Sequence, residues 1–148
     1  MKINWTLKKF EDLSSHELYK IMQLRNEVFV VEQNCVYQDA DDKDIQSWHF
    51  MGWQQDKLVA YTRLLPPGLC YMEASIGRVV TSPSARSEGI GRELMLQSIE
   101  QIKKMFGIGS ITIGAQLYLQ KFYTSLGFQQ TSEIYLEDGI EHIEMVRL

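Results

Sequence analysis

Six consecutive residues, Arg86-Ser87-Glu88-Gly89-Ile90-Gly91, have the types and spacing to hold an anion. They follow an apolar strand-like run, Ile76 to Thr81, and lead into a long amphipathic segment beginning at Arg92. At such a strand-loop-helix joint the first helical N–H groups lack intrahelical partners, and the helix dipole adds partial positive charge. Two glycines spaced by one residue let a ligand approach the backbone, and Arg86 offers a bidentate partner for phosphate oxygens. A pyrophosphate is the natural guest. A dinucleotide fingerprint would need a third glycine where Leu94 stands, and no Gly-Lys-Ser/Thr of a P-loop follows, so nicotinamide and ATP chemistry lose ground. The alternative is a glycine-relieved helix start with solvated charges.

The elements that must position this loop can be read in order. Ile3, Trp5 and Leu7 alternate with polar residues as in a half-buried strand. Ser14 and Glu17 form a capping box for a helix from about Ser15 to about Phe29 or beyond, with Leu18, Ile21, Met22, Arg25 and Val28 at helical spacing. Glu32 and Gln33 at its exit are placed to line a substrate cleft. Four aspartates between Asp39 and Asp44 lack the calcium-loop pattern, because Lys43 and Asp44 stand where an oxygen ligand and a glycine belong, and they read as a solvated loop. Ser47 to Trp53 and Lys57 to Leu65 form a hairpin, and Tyr71-Met72-Glu73 leads into the strand carrying Arg78. Met95, Ile99, Ile102 and Phe106 make a core-facing stripe on the helix after the loop. Ser110 to Ala115 is a strand, Gln116 to Leu126 a short helix, and Phe128 to Leu136 with Glu141 to Leu148 a terminal hairpin over Asp138-Gly139. The order predicts an α+β domain with a mixed, mostly antiparallel sheet.

At 148 residues the chain suits one domain, 1–148, that buries roughly 68 to 70% of its unfolded surface. There is no run of 18 or more apolar residues and no apolar leader, which points to a cytoplasmic protein without a membrane partner. Cys35 and Cys70 read as free thiols, and neither has the Cys/His spacing that zinc needs, so no metal is expected. A net charge of −4 without a basic stripe argues against nucleic acid and suits a cationic amine.

Arg-x-x-Gly-x-Gly in this setting resembles the acyl-CoA-binding signature of the GCN5-related N-acetyltransferase (GNAT) superfamily. The stretch Gln116 to Phe128 resembles that superfamily's later motif, where a tyrosine lies four residues before Gly-Phe; Tyr123 matches it. Val28 to Asp41, Ile76 to Val80 and Glu137 to Ile143 resemble its ElaA-like branch, so the likeness covers nearly the whole chain. The resemblance implies the acyl-CoA N-acyltransferase fold, with splayed central strands forming the coenzyme A cleft. Acetyl-CoA would be the cosubstrate, and a homodimer is compatible by analogy. It further implies that amides around Val79, Val80 and Thr81 hold the pantetheine arm. Arg86, Ser87, Glu88, Gly89, Ile90 and Gly91 would hold the pyrophosphate, with Arg92 near its rim. Gln116 stands where asparagine is often found, and Leu119 where alanine is. Glu88 replaces a lysine or glycine and, being repulsive beside a pyrophosphate, is expected to point to water.

Acetyl transfer to an amine needs a neutral nucleophile and a proton for the departing thiolate. The resemblance implies Tyr123 as general acid, a phenol that keeps its proton at neutral pH. Candidates for the base are Glu73, Glu32 and His142. Arg78, one residue from Val79, should face the opposite side of its strand and either hold a substrate carboxylate or orient Glu73. The expected function is direct acetyl transfer to a small-molecule or peptide amine in a ternary complex. The rival readings are an acetyl-cysteine route, a non-catalytic acyl-CoA sensor, and a tRNA-linked acceptor, which the lack of a basic stripe disfavours.

Overall fold

The computed structural model describes residues 2–86 and 88–148. Strands β1 (Asn4–Lys9), β2 (Trp48–Gln54), β3 (Lys57–Leu65) and β4 (Ser75–Thr81) form one antiparallel sheet in that order. Strands β5 (Ile111–Gln116), β8 (Ile140–Arg147) and β6 (Phe128–Gln130) form a second, with β7 (Tyr135–Glu137) also paired to β8. Three α-helices accompany them among the described residues: α1 (Ser15–Arg25), α2 (Ile90–Phe106) and α3 (Gln120–Thr124). The architecture is α+β, with antiparallel sheets flanked by helices.

Alternation along the strands divides the core into two layers. Phe50, Ala60 and Leu64 point to the face covered by α2, where they meet Leu94, Met95, Ile99 and Ile102. Met51 and Tyr61, one residue along, point to the opposite face and pack on Ile21, Leu24 and Val28. The predicted α2 stripe is buried at Met95, Ile99 and Ile102, while Phe106 is half-buried. The capping box at the start of α1 is complete: Ser14 Oγ accepts from the Glu17 amide at 3.0 Å and Glu17 Oε1 from the Ser14 amide at 2.8 Å. Beyond Arg25 the helix continues as π-helical turns over Asn26–Glu32, so Glu32 and Gln33 do stand at a helix exit.

Where the two sheets meet, the expected single sheet gives way to a split. Among the described residues their only strand-like bridge is parallel, between Ala74 and Ile111, with the Thr112 amide donating to Ala74 O at 3.1 Å. Past that point β4 and β5 diverge, and among the described residues no strand pairs with the edge of β4 facing β5. Strand β4 is also bulged. Gly77 is opposite Arg63 and Val80 opposite Tyr61, so Arg78 and Val79 together oppose Thr62. Arg78 takes φ +50°, a left-handed conformation uncommon for a non-glycine residue.

Two sequence expectations need correction here. Phe128 to Leu136 is not one strand: it breaks between β6 and β7, because Ser132 Oγ replaces a backbone acceptor and takes the Glu144 amide at 2.8 Å. Nor are the aspartates a solvated loop. Asp39 and Asp44 are buried because arginines from three elements converge on them: Arg25 (α1), Arg63 (β3) and Arg78 (β4). Arg25 itself is 0% exposed, with Nε 2.7 Å from Asp39 Oδ2 and Nη1 2.7 Å from Asp44 Oδ1. The layer is completed by His49, whose Nε2 is 2.9 Å from Asp44 O and Nδ1 2.6 Å from the Tyr61 hydroxyl. A carbonyl only accepts, so Nε2 carries the proton and the tyrosine donates to Nδ1.

Candidate active site

The divergence of β4 and β5 opens a cleft of about 650 Å³. Val79, Val80 and Thr81 line it along β4, Arg86 and Gly91 at one end, and Gln116 and Tyr123 on the β5 side. Glu32, Gln33, Arg78 and His142 line it as well. Residues as far apart in the chain as Glu32 and His142 are thereby brought to one surface.

The anion end is built by the joint between β4 and α2. Gly89 caps α2 at φ +72°, a conformation that favours glycine, and its position gives no side-chain cap to the helix. Among the described residues no side chain caps the first amides of α2, which have no intrahelical partner. At Gly91 neither backbone nor packing excludes a side chain, since a Cβ there would meet nothing closer than Thr81 Cγ2 at 3.9 Å; the missing side chain leaves that much more open backbone at this end of the cleft. Arg86 lies across this end, but its guanidinium is engaged. Nη1 donates to Glu32 Oε2 at 2.6 Å and Nη2 to Glu32 Oε1 at 2.7 Å, with a longer bond to Thr81 O at 3.3 Å. The hydrogen bonds and charge of Arg86 hold the Glu32 carboxyl below its usual range, and Glu32 in turn raises Arg86.

The other expected loop residues divide. Glu88 is exposed, as expected, and Gly89 is exposed with it, while Ile90 is buried in the core at 5% exposure. Arg92 Nη1 donates to Ser125 Oγ at 3.0 Å and is not part of the cleft lining. Ser87 lies outside the described residues. Gln116 and Gln33 exchange amide hydrogen bonds at 3.3 Å in each direction across the cleft. Glu32 and Gln33 thus tie the end of the π-helical turns to both walls.

Tyr123 is 5% exposed, lines the cleft, and packs edge-on against Phe122 and Phe128. Its hydroxyl has no hydrogen-bond partner among the described residues. Burial, with a smaller contribution from Tyr118, raises its pKa above the ordinary phenol value, so the hydroxyl keeps its proton at neutral pH. His142 lines the far side, stacked on Tyr135, with Nδ1 2.8 Å from Ile140 O and Nε2 3.6 Å from Glu137 Oε2. The carbonyl can only accept, so in the neutral ring Nδ1 carries the proton and Nε2 presents a lone pair.

Glu73 and Arg78 behave differently from expectation. Glu73 lies before the strands diverge and outside the cleft lining; its Oε1 accepts from Thr112 Oγ1 at 2.6 Å, which braces the joint. Arg78 does not face away from Val79, because the bulge breaks alternation and puts both on the cleft. Nor does it orient Glu73. Its Nε donates to Asp39 Oδ1 at 2.7 Å and its Nη2 to Asp39 O at 3.0 Å. Sequence reasoning also missed Cys35, Tyr37 and Glu137 in the lining. Tyr37 donates to Asp39 Oδ1 at 2.8 Å, and the Cys35 thiol donates to Asp138 O at 3.3 Å. No local motif marks them, since the loop of Cys35 to Asp44 is placed by distant arginines. Cys35 and Cys70 are both free thiols.

Known proteins share this arrangement. The family described as "Acetyltransferase (GNAT) domain" matches residues 11–148. Protein ElaA of Escherichia coli is 43% identical over 147 residues, covering 98% of this chain and 96% of that protein. Its crystal structure superposes with a TM-score of 0.93 over 99% of this chain and all of that one. An acyl-CoA N-acyltransferase from Pseudomonas aeruginosa superposes at TM-score 0.95 with 42% identity, covering 99% and 100% of the two chains. An aminoglycoside 6'-N-acetyltransferase complexed with coenzyme A shares the fold at TM-score 0.71 and 16% identity, over 96% of each chain. The chain belongs to the GNAT acetyltransferase family, in its ElaA-like branch.

Proposed function

We propose that this protein is a cytoplasmic N-acetyltransferase that moves an acetyl group from acetyl-CoA to a primary amine within a ternary complex. The observation that carries the reading is that Tyr123 and His142 line the same cleft as Arg86 and Gly91. A sensor of coenzyme A would need the anion end alone. The cleft also fits the cosubstrate's shape and chemistry: an unpaired β4 edge for an amide-bearing arm, then free helix amides and an arginine for a pyrophosphate.

When bound, acetyl-CoA supplies the activated acetyl thioester. Val79, Val80 and Thr81 would hold its pantetheine arm through backbone groups, and Arg86 with the amides at Gly89 to Gly91 its pyrophosphate. Arg86 must exchange Glu32 for the phosphates, and Gln116 must exchange Gln33 for the arm. His142 Nε2 takes a proton from the arriving ammonium, leaving a lone pair on nitrogen to form the N–C bond. Tyr123 gives its proton to the sulfur as the C–S bond breaks; the new amide nitrogen sheds its second proton, which restores Tyr123 by way of solvent, and His142 releases the proton it took to solvent. Glu137 is placed to steady the charged imidazole. Acidic groups on the rim, Glu137 and Asp138, suit a cationic acceptor, either a small molecule or a peptide.

Acetyl-CoA is titrated into the protein, and thiol release is then followed with a panel of amines, polyamines, amino acids and peptides. Acceptor-dependent thiol release is the expected result. Binding without release from any acceptor would overturn the enzyme reading in favour of a coenzyme A sensor.

A further inference from the structure

Arg78, on the cleft wall, combines a left-handed backbone with hydrogen bonds that fix its guanidinium. It holds φ +50° at the bulge that turns β4 away from regular pairing with β3. A long side chain gains nothing intrinsically from that conformation, so something outside the strand must hold it there. Asp39 supplies the hold. Its Oδ1 accepts from Arg78 Nε at 2.7 Å and its carbonyl from Arg78 Nη2 at 3.0 Å, two contacts that fix the guanidinium plane.

Asp39 is itself anchored from the opposite side. Oδ2 accepts from Arg25 Nε at 2.7 Å, its carbonyl from Arg25 Nη2 at 3.3 Å, and Oδ1 also from the Tyr37 hydroxyl at 2.8 Å. Arg25 is fully buried and held by Asp44 as well. The chain of contacts thus runs from the α1 core through Asp39 to the bulge, and the bulge presents Val79 and Val80 to the cleft.

We propose that Asp39 is a positioning residue for the cosubstrate: it holds Arg78 left-handed and so keeps the β4 bulge in the shape that receives the pantetheine arm. This rests on the reading of the cleft as an acyl-CoA site. Without the brace, the bulge relaxes toward regular pairing, only a fraction of molecules is competent, and apparent affinity falls by that fraction.

The test compares two substitutions that remove the same guanidinium and differ in backbone freedom. Glycine at 78 adopts the left-handed conformation readily and alanine does not. Coenzyme A affinity is measured by calorimetry for the wild type, R78G, R78A and D39N, with steady-state KM and kcat for acetyl-CoA and thermal melts alongside. R78A is expected to bind about tenfold more weakly than R78G, with KM rising to match and kcat at saturation little different. D39N is expected to lose affinity, and D39N/R78G to regain the level of R78G. Equal affinity for R78A and R78G, with their difference appearing only in the melting temperature, would make the contact structural and overturn the inference. If D39N fails to fold, the glycine-alanine pair decides alone. A wild-type chain that takes up no coenzyme A overturns the reading of the cleft itself, a result distinct from equal binding by the two variants.

Discussion

Glu32 and Arg86 face each other in a two-toothed ion pair, 2.6 and 2.7 Å, at the end of the cleft where a pyrophosphate would lie. A carboxylate and a phosphate present similar oxygens to a guanidinium, so the two compete for the same donors. Glu32 therefore opposes cosubstrate binding twice, by engaging Arg86 and by its own charge near the phosphates. The pair is about 40% exposed on both sides, which keeps its strength in the range of surface bridges. Glu32→Gln is expected to tighten coenzyme A binding by roughly twofold to fivefold, with the gain shrinking at high salt. Calorimetry at two ionic strengths measures both. Weaker binding by E32Q would mean that Glu32 helps hold Arg86 in place for the phosphates.

Tyr123 provides the sharpest division between binding and turnover. Its ring packs on Phe122 and Phe128, and phenylalanine would keep those contacts. Tyr123→Phe is expected to leave coenzyme A affinity intact and to lower kcat roughly a hundredfold, the scale of a lost general acid. Unchanged kcat would remove the role assigned to its hydroxyl.

His142→Gln tests the other proton. Glutamine can still donate to Ile140 O but offers no basic nitrogen at the position of Nε2. Turnover should fall by a similar factor, again roughly a hundredfold, while coenzyme A affinity holds. Partial recovery with an acceptor of lower amine pKa, which arrives already neutral, would identify the missing function as proton removal.

What was legible in the sequence was whatever depends on neighbours in the chain. The glycine-started joint into α2, the Ser14–Glu17 box, and the two-residue turn at Asp138 and Gly139, with φ of +51° and +77°, follow from residues within a few positions of one another. So does Tyr123 beside Gly127-Phe128. The bulge at Arg78 and the ionic layer depend instead on partners 14 to 39 residues away, such as Arg25 to Asp39 and Arg78 to Asp39. A cluster of aspartates looks solvated when the arginines that bury it are elsewhere in the sequence. Glu73 failed as a base for a related reason, since its reach was set by where β4 and β5 part.

The ionic layer also sets how the fold responds to acid. Burial raises the Asp41 carboxyl, but the hydrogen bonds and charge of Arg63, with Arg78 beyond, outweigh it and bring the value down from 3.8 to about 2. Asp44 is lowered in the same way, chiefly by Arg25 against its burial. The unfolded chain thus binds more protons than the folded one below about pH 4, so this stabilisation is complete above that value and is lost as pH falls toward 2. His49 adds an earlier step. Burial lowers its pKa below 6.5, so its neutral form favours folding fully above that pH and progressively less beneath it. Urea titrations across pH 7 to 2 should show stability falling in these two stages, with the lower one shallower in Asp41→Asn.

Arg25 carries the largest expected loss of stability. It is fully buried, and replacing it by methionine keeps much of its volume but leaves Asp39 and Asp44 without their shared cation. Removing one partner of a buried pair destabilises by about 3 to 5 kcal/mol, far more than a surface bridge. The remaining charges do not compensate fully, because Arg63 and Arg78 approach from the strand side only. Arg25→Met should therefore lower the urea midpoint strongly, whereas Lys8→Met, which breaks a half-buried bridge to Glu17 at the surface, should move it much less. Adding Asp44→Asn to Arg25→Met should recover part of the loss by removing one stranded carboxylate. Full wild-type stability in R25M would show that the layer tolerates the loss of one cation from among its three aspartates, and the brace on Arg78 would then have to be independent of its anchor in α1.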